Sequence, residues 1–102
     1  MSWPVVATGP HSSRQVLADS TGLMTVAFRF DAVGAIGALH HHPHVQSTYV
    51  VSGRFRFEVD GRSFDVGPGD AFVVPSGAVH GCVCLEPGLL IDGFTPRRDD
   101  FL

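Results

Sequence analysis

Lysine is absent from the 102 residues, and all seven basic side chains are arginine. A Schiff base between a lysine and a carbonyl substrate is therefore closed to this chain. Charge is scarce, at 17% of residues with a net charge of −3, and no basic stripe offers a footprint for nucleic acid. No run approaches the ~20 apolar residues that a membrane span needs, and residues 1–6 carry neither a basic segment nor a long apolar stretch. The expectation is a cytoplasmic protein with neither a membrane nor a nucleic-acid partner. Cysteine is limited to Cys82 and Cys84. Two apart in a strand-like segment, they share a face without the geometry of an ordinary disulfide, so both are expected to be reduced.

A long stretch with a helical hydrophobic period is also missing. What is present is 44% hydrophobic residues cut into short segments by twelve glycines and seven prolines. Residues 24–30 alternate, with Met24, Val26, Phe28 and Phe30 on one face. Residues 54–59 alternate in the same way, with Phe55, Phe57 and Val59 opposite Arg54, Arg56 and Glu58. Asp60-Gly61 between that segment and residues 62–66 predicts a type I′ hairpin, because both residues tolerate positive φ. Further short strands are expected over residues 14–18, 46–52, 71–74, 78–85 and 89–94, with turns at 75–77 and 86–88. Many short strands with Gly and Pro turns predict an all-β sandwich or barrel, formed as one domain over residues 1–102. Folding at this length buries roughly two-thirds of the unfolded surface, and Phe28, Phe30, Phe55, Phe57, Phe64 and Phe72 are the expected core.

The polar chemistry is concentrated. Four of the six histidines lie in residues 40–44, between a glycine-containing connection and a strand. In extended backbone, residues two apart face the same way, so His40 and His42 aim inward with His41 outward, and Gln46 keeps their parity. His80, from a second stretch of sequence, supplies a fourth inward group, with Cys82 and Cys84 following on its face. Four such groups opening into a barrel interior make a metal site. If the loop register slips by two, His44 competes with His42. Cys82 either approaches the metal from the wall or is an inert buried thiol.

These two stretches resemble the paired motifs of the cupins. The first reads Gly34, five residues, His40-His41-His42, three residues, Gln46, six residues, Gly53; the second reads Gly69, five residues, Pro75-Ser76-Gly77, two residues, His80. Gln46 stands where most cupins carry Glu, and Cys84 where many carry Asn. The phrase from His40 to Gly53 and the tail from Asp92 to Leu102 are similar to the small cupins of pectin and alginate breakdown, which linearise 4,5-unsaturated monouronates. Val45 departs from the Glu usual there. The resemblance implies a single-domain jelly-roll β-barrel and a divalent metal (zinc, nickel, iron or manganese) on His40, His42, Gln46 and His80. It also implies Asp92, Phe94 and Arg98 as catalytic residues facing the substrate, and a homodimer.

Three neutral imidazoles and a neutral amide leave the charge of a divalent metal uncompensated, which favours a small anionic substrate with a carboxylate or enolate oxygen. Asp92 suits proton transfer and the planar fork of Arg98 suits a carboxylate. The structural alternatives are an Asp92 that merely satisfies backbone and an Arg98 paired with Asp99 or Asp100. A non-redox ring-opening or isomerising enzyme is the first expectation. A metal-dependent dioxygenase and a non-catalytic binding or sensor domain are the alternatives, and fold alone does not choose among them.

Overall fold

The computed structural model describes residues 3–102, so the first two positions of the expected domain lie outside the described residues. The strands are β1 (Val6–Gly9), β2 (Ser12–Ser20), β3 (Leu23–Phe30), β4 (Ile36–His40), β5 (Val45–Val59), β6 (Arg62–Val66), β7 (Ala71–Val74) and β8 (His80–Thr95), followed by one short 3-10 turn at Asp99–Phe101. All pairings are antiparallel. The main path is β1-β2-β3-β8-β5-β6, with β4 on a second stretch of β8 and β7 on a second stretch of β5.

The two long strands, β5 and β8, govern the architecture. They pair along their whole length, from Val45 opposite Thr95 to Val59 opposite His80. Halfway along, both change neighbours. The first half of β5 is flanked by β7 and its second half by β6, while the first half of β8 is flanked by β4 and its second half by β3. The ladder breaks register at Ser52 and Arg54, and there the backbones come too close for side chains. A Cβ at Gly88 would lie 2.0 Å from the Ser52 carbonyl oxygen, and one at Gly53 would lie 2.6 Å from that of Glu86. Gly53 also has φ of +81°, open to glycine at little cost. Pro87, with no N–H to give, falls in this irregular stretch, where no ladder partner is required of it.

This bend corrects the expected strand boundaries. Residues 46–52 and 54–59 form one strand interrupted by a bulge at Gly53, and the Glu86-Pro87-Gly88 turn is a kink inside β8. Glycine and proline announce a break in regular extension, but a bulge in a long strand satisfies the same constraint as a turn between two short ones. Similarly, residues 36–40, expected as connection and histidine cluster, form β4, which pairs with the start of β8. The hairpin at Asp60-Gly61 has both residues at positive φ, 47° and 79°, and Val59 pairs with Arg62, as a two-residue type I′ loop requires.

The core fills the two halves of the folded ladder. One cluster joins Phe30, Val50, Phe55, Phe57, Val66, Cys84 and Leu90, and the other joins Val16, Met24, Val26 and Phe94. Removal of each large apolar side chain from water contributes roughly 1.5–3 kcal/mol, so the clusters hold the bend closed. Phe28, Phe64 and Phe72, expected in the core, are only partly buried against it. The two cysteines are free.

Candidate metal centre

Folding the β5–β8 ladder on itself brings its two ends together. His80 begins β8, Gln46 lies near the start of β5, and their side chains meet at 3.2 Å between His80 Nε2 and Gln46 Oε1. The antiparallel pairing of β4 with β8 puts His40 opposite His80, with ring centres 4.3 Å apart. His42 lies past the end of β4, and its Nε2 is 3.1 Å from the same Gln46 oxygen. The ligand-type nitrogens of His40, His42 and His80 all lie within 4.8 Å of one another.

The hydrogen bonds behind the rings set their tautomers. Nδ1 of His40 lies 2.8 Å from the Ala38 carbonyl, that of His42 3.0 Å from the His44 carbonyl, and that of His80 2.9 Å from the Ala78 carbonyl. A carbonyl only accepts, so each Nδ1 must donate, which leaves each neutral ring a bare lone pair on Nε2. Burial lowers the His42 pKa, and it lowers that of His80 to about 4, with the neighbouring His40 and His42 and the Arg98 charge acting in the same direction on His80. The His42 and His80 rings are therefore neutral at pH 7. The Gln46 amide donates from Nε2 to Thr48 Oγ1 at 3.0 Å and to Asp92 Oδ2 at 3.3 Å, which turns Oε1 toward the histidines. Two imidazole lone pairs thus face an amide oxygen at hydrogen-bond distance with no proton between them. A cation is what such a cluster of lone pairs accommodates, so the residues present fit a divalent metal.

The structure brings the four expected ligands together but treats them unequally. His42, Gln46 and His80 are buried, whereas His40 is exposed and stands at the mouth. His40 and His42 both turn to the cluster, as expected of them, although β4 stops at His40 and His42 follows in irregular backbone rather than in the same strand. His41 is exposed. His44 contributes its backbone carbonyl to His42, while its own ring packs edge-on against His42.

A cavity of about 190 Å³ opens on this cluster, lined by His40, Gln46, His80, Asp92, Phe94 and Arg98 among others. Phe28, Phe30, Phe57 and Phe101 form much of its apolar wall. The first three were expected only as core, and their alternating pattern reads the same whether the inward face meets other side chains or an enclosed space. A larger surface groove, about 580 Å³, runs past Phe64, Phe72 and Pro75, but it holds no histidine or cysteine.

Asp92 is buried, its Oδ1 has no hydrogen-bond partner among the described residues, and burial pushes its pKa up to about 7, against the opposing effects of Thr48 and Arg98. A cation held by Gln46 would pull this value down, since positive charge favours the carboxylate. Arg98 lies 5.1 Å over the Phe94 ring and 4.2 Å over Phe101. Its fork pairs with Asp100 at 3.0 and 2.8 Å, so of the two ion pairs considered for it, Asp100 is the partner. Arg97 takes Asp99 instead. Phe94 touches His42 edge-on, with ring centres 5.7 Å apart. Cys82 lines the cavity, and burial raises its thiol to about 12, which keeps it protonated and a poor ligand.

Comparison with known proteins decides the family. The Cupin domain model matches residues 29–92, more than half of the chain. The chain is a cupin. It is 41% identical over 96 residues to the pectin degradation protein KdgF of Dickeya dadantii, covering 92% of this chain and 86% of that protein. Among solved structures, KdgF from a Halomonas species superposes with a TM-score of 0.91 at 44% identity, covering 97% of this cupin and 91% of that chain. An RmlC-like cupin from Shewanella frigidimarina also gives 0.91, at 42% identity, with 98% and 89% covered. The all-β jelly roll and the kinship with the pectin-degradation cupins follow for this cupin.

Proposed function

We propose that this cupin is a metal-dependent enzyme of uronate breakdown, which linearises a 4,5-unsaturated monouronate by isomerisation without redox chemistry. The observation that carries this reading is the convergence of a His/His/Gln/His cluster, buried Asp92 and Arg98 on one cavity, in a chain 41% identical to a pectin degradation protein. His40, His42, Gln46 and His80 would hold a divalent metal, which when bound supplies Lewis acidity toward an anionic oxygen and lowers the pKa of coordinated water.

The remaining chemistry belongs to the chain. The unsaturated sugar is an enol ether, with C5 bonded to the ring oxygen. Opening it requires a proton at C4, a water oxygen at C5, cleavage of the C5–ring oxygen bond to leave a ketone, and loss of one water as C1 becomes the aldehyde. Water enters and leaves, so no oxidant or reductant is consumed. Asp92, buried beside the Gln46 amide and facing the cavity, is the carboxyl group placed to pass a proton to and from the sugar carbon. Arg98, with Asp100 on one side of its guanidinium and the Phe94 and Phe101 rings beneath, offers its remaining donors to the uronate carboxylate. Phe94 and the apolar wall exclude bulk water from the reacting face.

The test is elemental analysis of the purified protein, then absorbance of the conjugated alkene of the unsaturated uronate, with and without the recovered metal, in air and under argon. Metal-dependent loss of the band under argon is expected. Stoichiometric metal with an unchanged band would overturn the substrate, and loss of the band only in air would replace the isomerase by an oxygen-dependent enzyme.

A further inference from the structure

Nothing in the Gln46 amide itself selects oxygen over nitrogen as the atom that faces the histidines. Turned by 180°, the amide would place its NH2 group against the Nε2 lone pairs of His42 and His80, two acceptable hydrogen bonds that would oppose a cation with donor hydrogens. The orientation is set from behind: the Thr48 hydroxyl gives its hydrogen to Asp92 and is left to accept, so Thr48 Oγ1 and Asp92 Oδ2 both take hydrogens from Gln46 Nε2. Thr48 is fully buried, two residues after Gln46 on the same inward face of β5, and it is paired with Asp92 on one side and Phe72 on the other. The next buried inward positions of β5 are Val50, Phe55 and Phe57, so valine would suit the core at Thr48 better than a hydroxyl would. The hydroxyl has a polar task.

We propose that Thr48 is a positioning residue for the metal centre: its Oγ1, 3.0 Å from Gln46 Nε2, holds the amide so that Oε1 faces the site shared by His42 and His80. The inference rests on the metal-binding reading given above. Its logic is that of partners which orient a metal ligand from outside the coordination sphere, where loss typically weakens metal binding 10- to 100-fold. Asp92 Oδ2 shares the task at 3.3 Å, and Thr48 makes the shorter of the two contacts.

The test is competition for Zn²⁺ between the protein and a chromogenic chelator, read beside the Tm of the metal-free forms. Thr48→Val is expected to lose about 10- to 100-fold in Zn²⁺ affinity with the metal-free Tm within about 2 °C of wild type, while Thr48→Ser stays within about threefold. Thr48→Ala, which removes the hydroxyl with a different packing change, is expected to lose the same factor as Thr48→Val. In a Gln46→Ala background, Thr48→Val is expected to have no further effect, since the group it orients is gone. Wild-type affinity in Thr48→Val would overturn the role, as would an equal loss in the Gln46→Ala background or affinities that simply follow Tm. A wild-type chain that takes up no Zn²⁺ or other divalent metal would overturn the centre itself, and the role of Thr48 with it.

Discussion

On the proposed function the site contains two kinds of polar side chain, those whose lone pairs converge on a metal and those that would act on what is bound there. His42 and His80 belong to the first kind, and replacing either by alanine is expected to abolish stoichiometric metal in elemental analysis. Asp92→Asn and Arg98→Ala are expected to retain metal, with kcat lower by about 10²- to 10⁴-fold for Asp92→Asn and the main loss for Arg98→Ala in KM. Equal metal loss in all four would contradict this separation. The pKa shifts make a second prediction, for the metal-free protein. The Asp92 pKa is raised from 3.8 to about 7 on folding, so the folded state binds the extra proton and loses relative stability as pH rises between those values. His80 works in the opposite sense: its pKa is lowered from 6.5 to about 4, so stability is lost as pH falls through that window. Subtracting the Asp92→Asn curve from wild type isolates the first effect. The difference in unfolding free energy is expected to move against wild type as pH rises from about 4 to about 7, measured by urea titration, and a flat difference would show that Asp92 does not titrate there.

One element decides whether these residues meet. The β5–β8 ladder must bend where Gly53 and Gly88 let the two backbones touch, because His80 and Gln46 sit toward opposite ends of it. Gly88→Ala would drive a methyl group to 2.0 Å from the Ser52 oxygen. The expected cost is about 1–3 kcal/mol, read as a Tm lower by roughly 10 °C, together with weakened metal uptake, since opening the bend separates His80 from Gln46. Gly61→Ala is a useful contrast, since its φ of +79° is strained for alanine but no atom lies within 4 Å of the added carbon. It is expected to destabilise without changing metal affinity. The bend was only partly legible from residues. Gly53 and Glu86-Pro87-Gly88 mark interruptions, but whether an interruption is a turn or a bulge depends on which strand lies alongside.

At the scale of the whole molecule, a ligand group drawn from β4, the loop after it, β5 and β8 ties distant segments together. Metal bound only by the folded state stabilises by mass action, about 2.7 kcal/mol when free metal is 100 times its Kd. Removal by a chelator is expected to lower the Tm by roughly 10 °C in wild type and leave His80→Ala unchanged, as followed by thermal melts. The outer face of β5 presents Val45, Tyr49 and Val51, all exposed, next to exposed Val73 of β7. The homodimer that the family resemblance implies would have this apolar sheet face available for its pairing. Sedimentation equilibrium is expected to give twice the chain mass, and a monomer for Tyr49→Asp paired with Val73→Asp; a monomeric wild type would refute the pairing.

Short-range chemistry was available to the sequence by itself. The alternation of residues 24–30 and 54–59, the Asp60-Gly61 hairpin and the absence of any helical period determined an all-β sandwich or barrel, because strand parity and turn preference are local properties, while the jelly roll and the full ligand set came from the resemblance of the two spaced motifs to the cupins. The tertiary structure alone decided which histidine is buried and which stands at the mouth. It also decided that Arg98 takes Asp100, that Phe28, Phe30, Phe57 and Phe101 wall the cavity, and that Thr48 backs the Gln46 amide. Each of these depends on a register between strands far apart in the chain and on the bend in the ladder. Such pairings follow from how the whole core closes, and no local pattern encodes them.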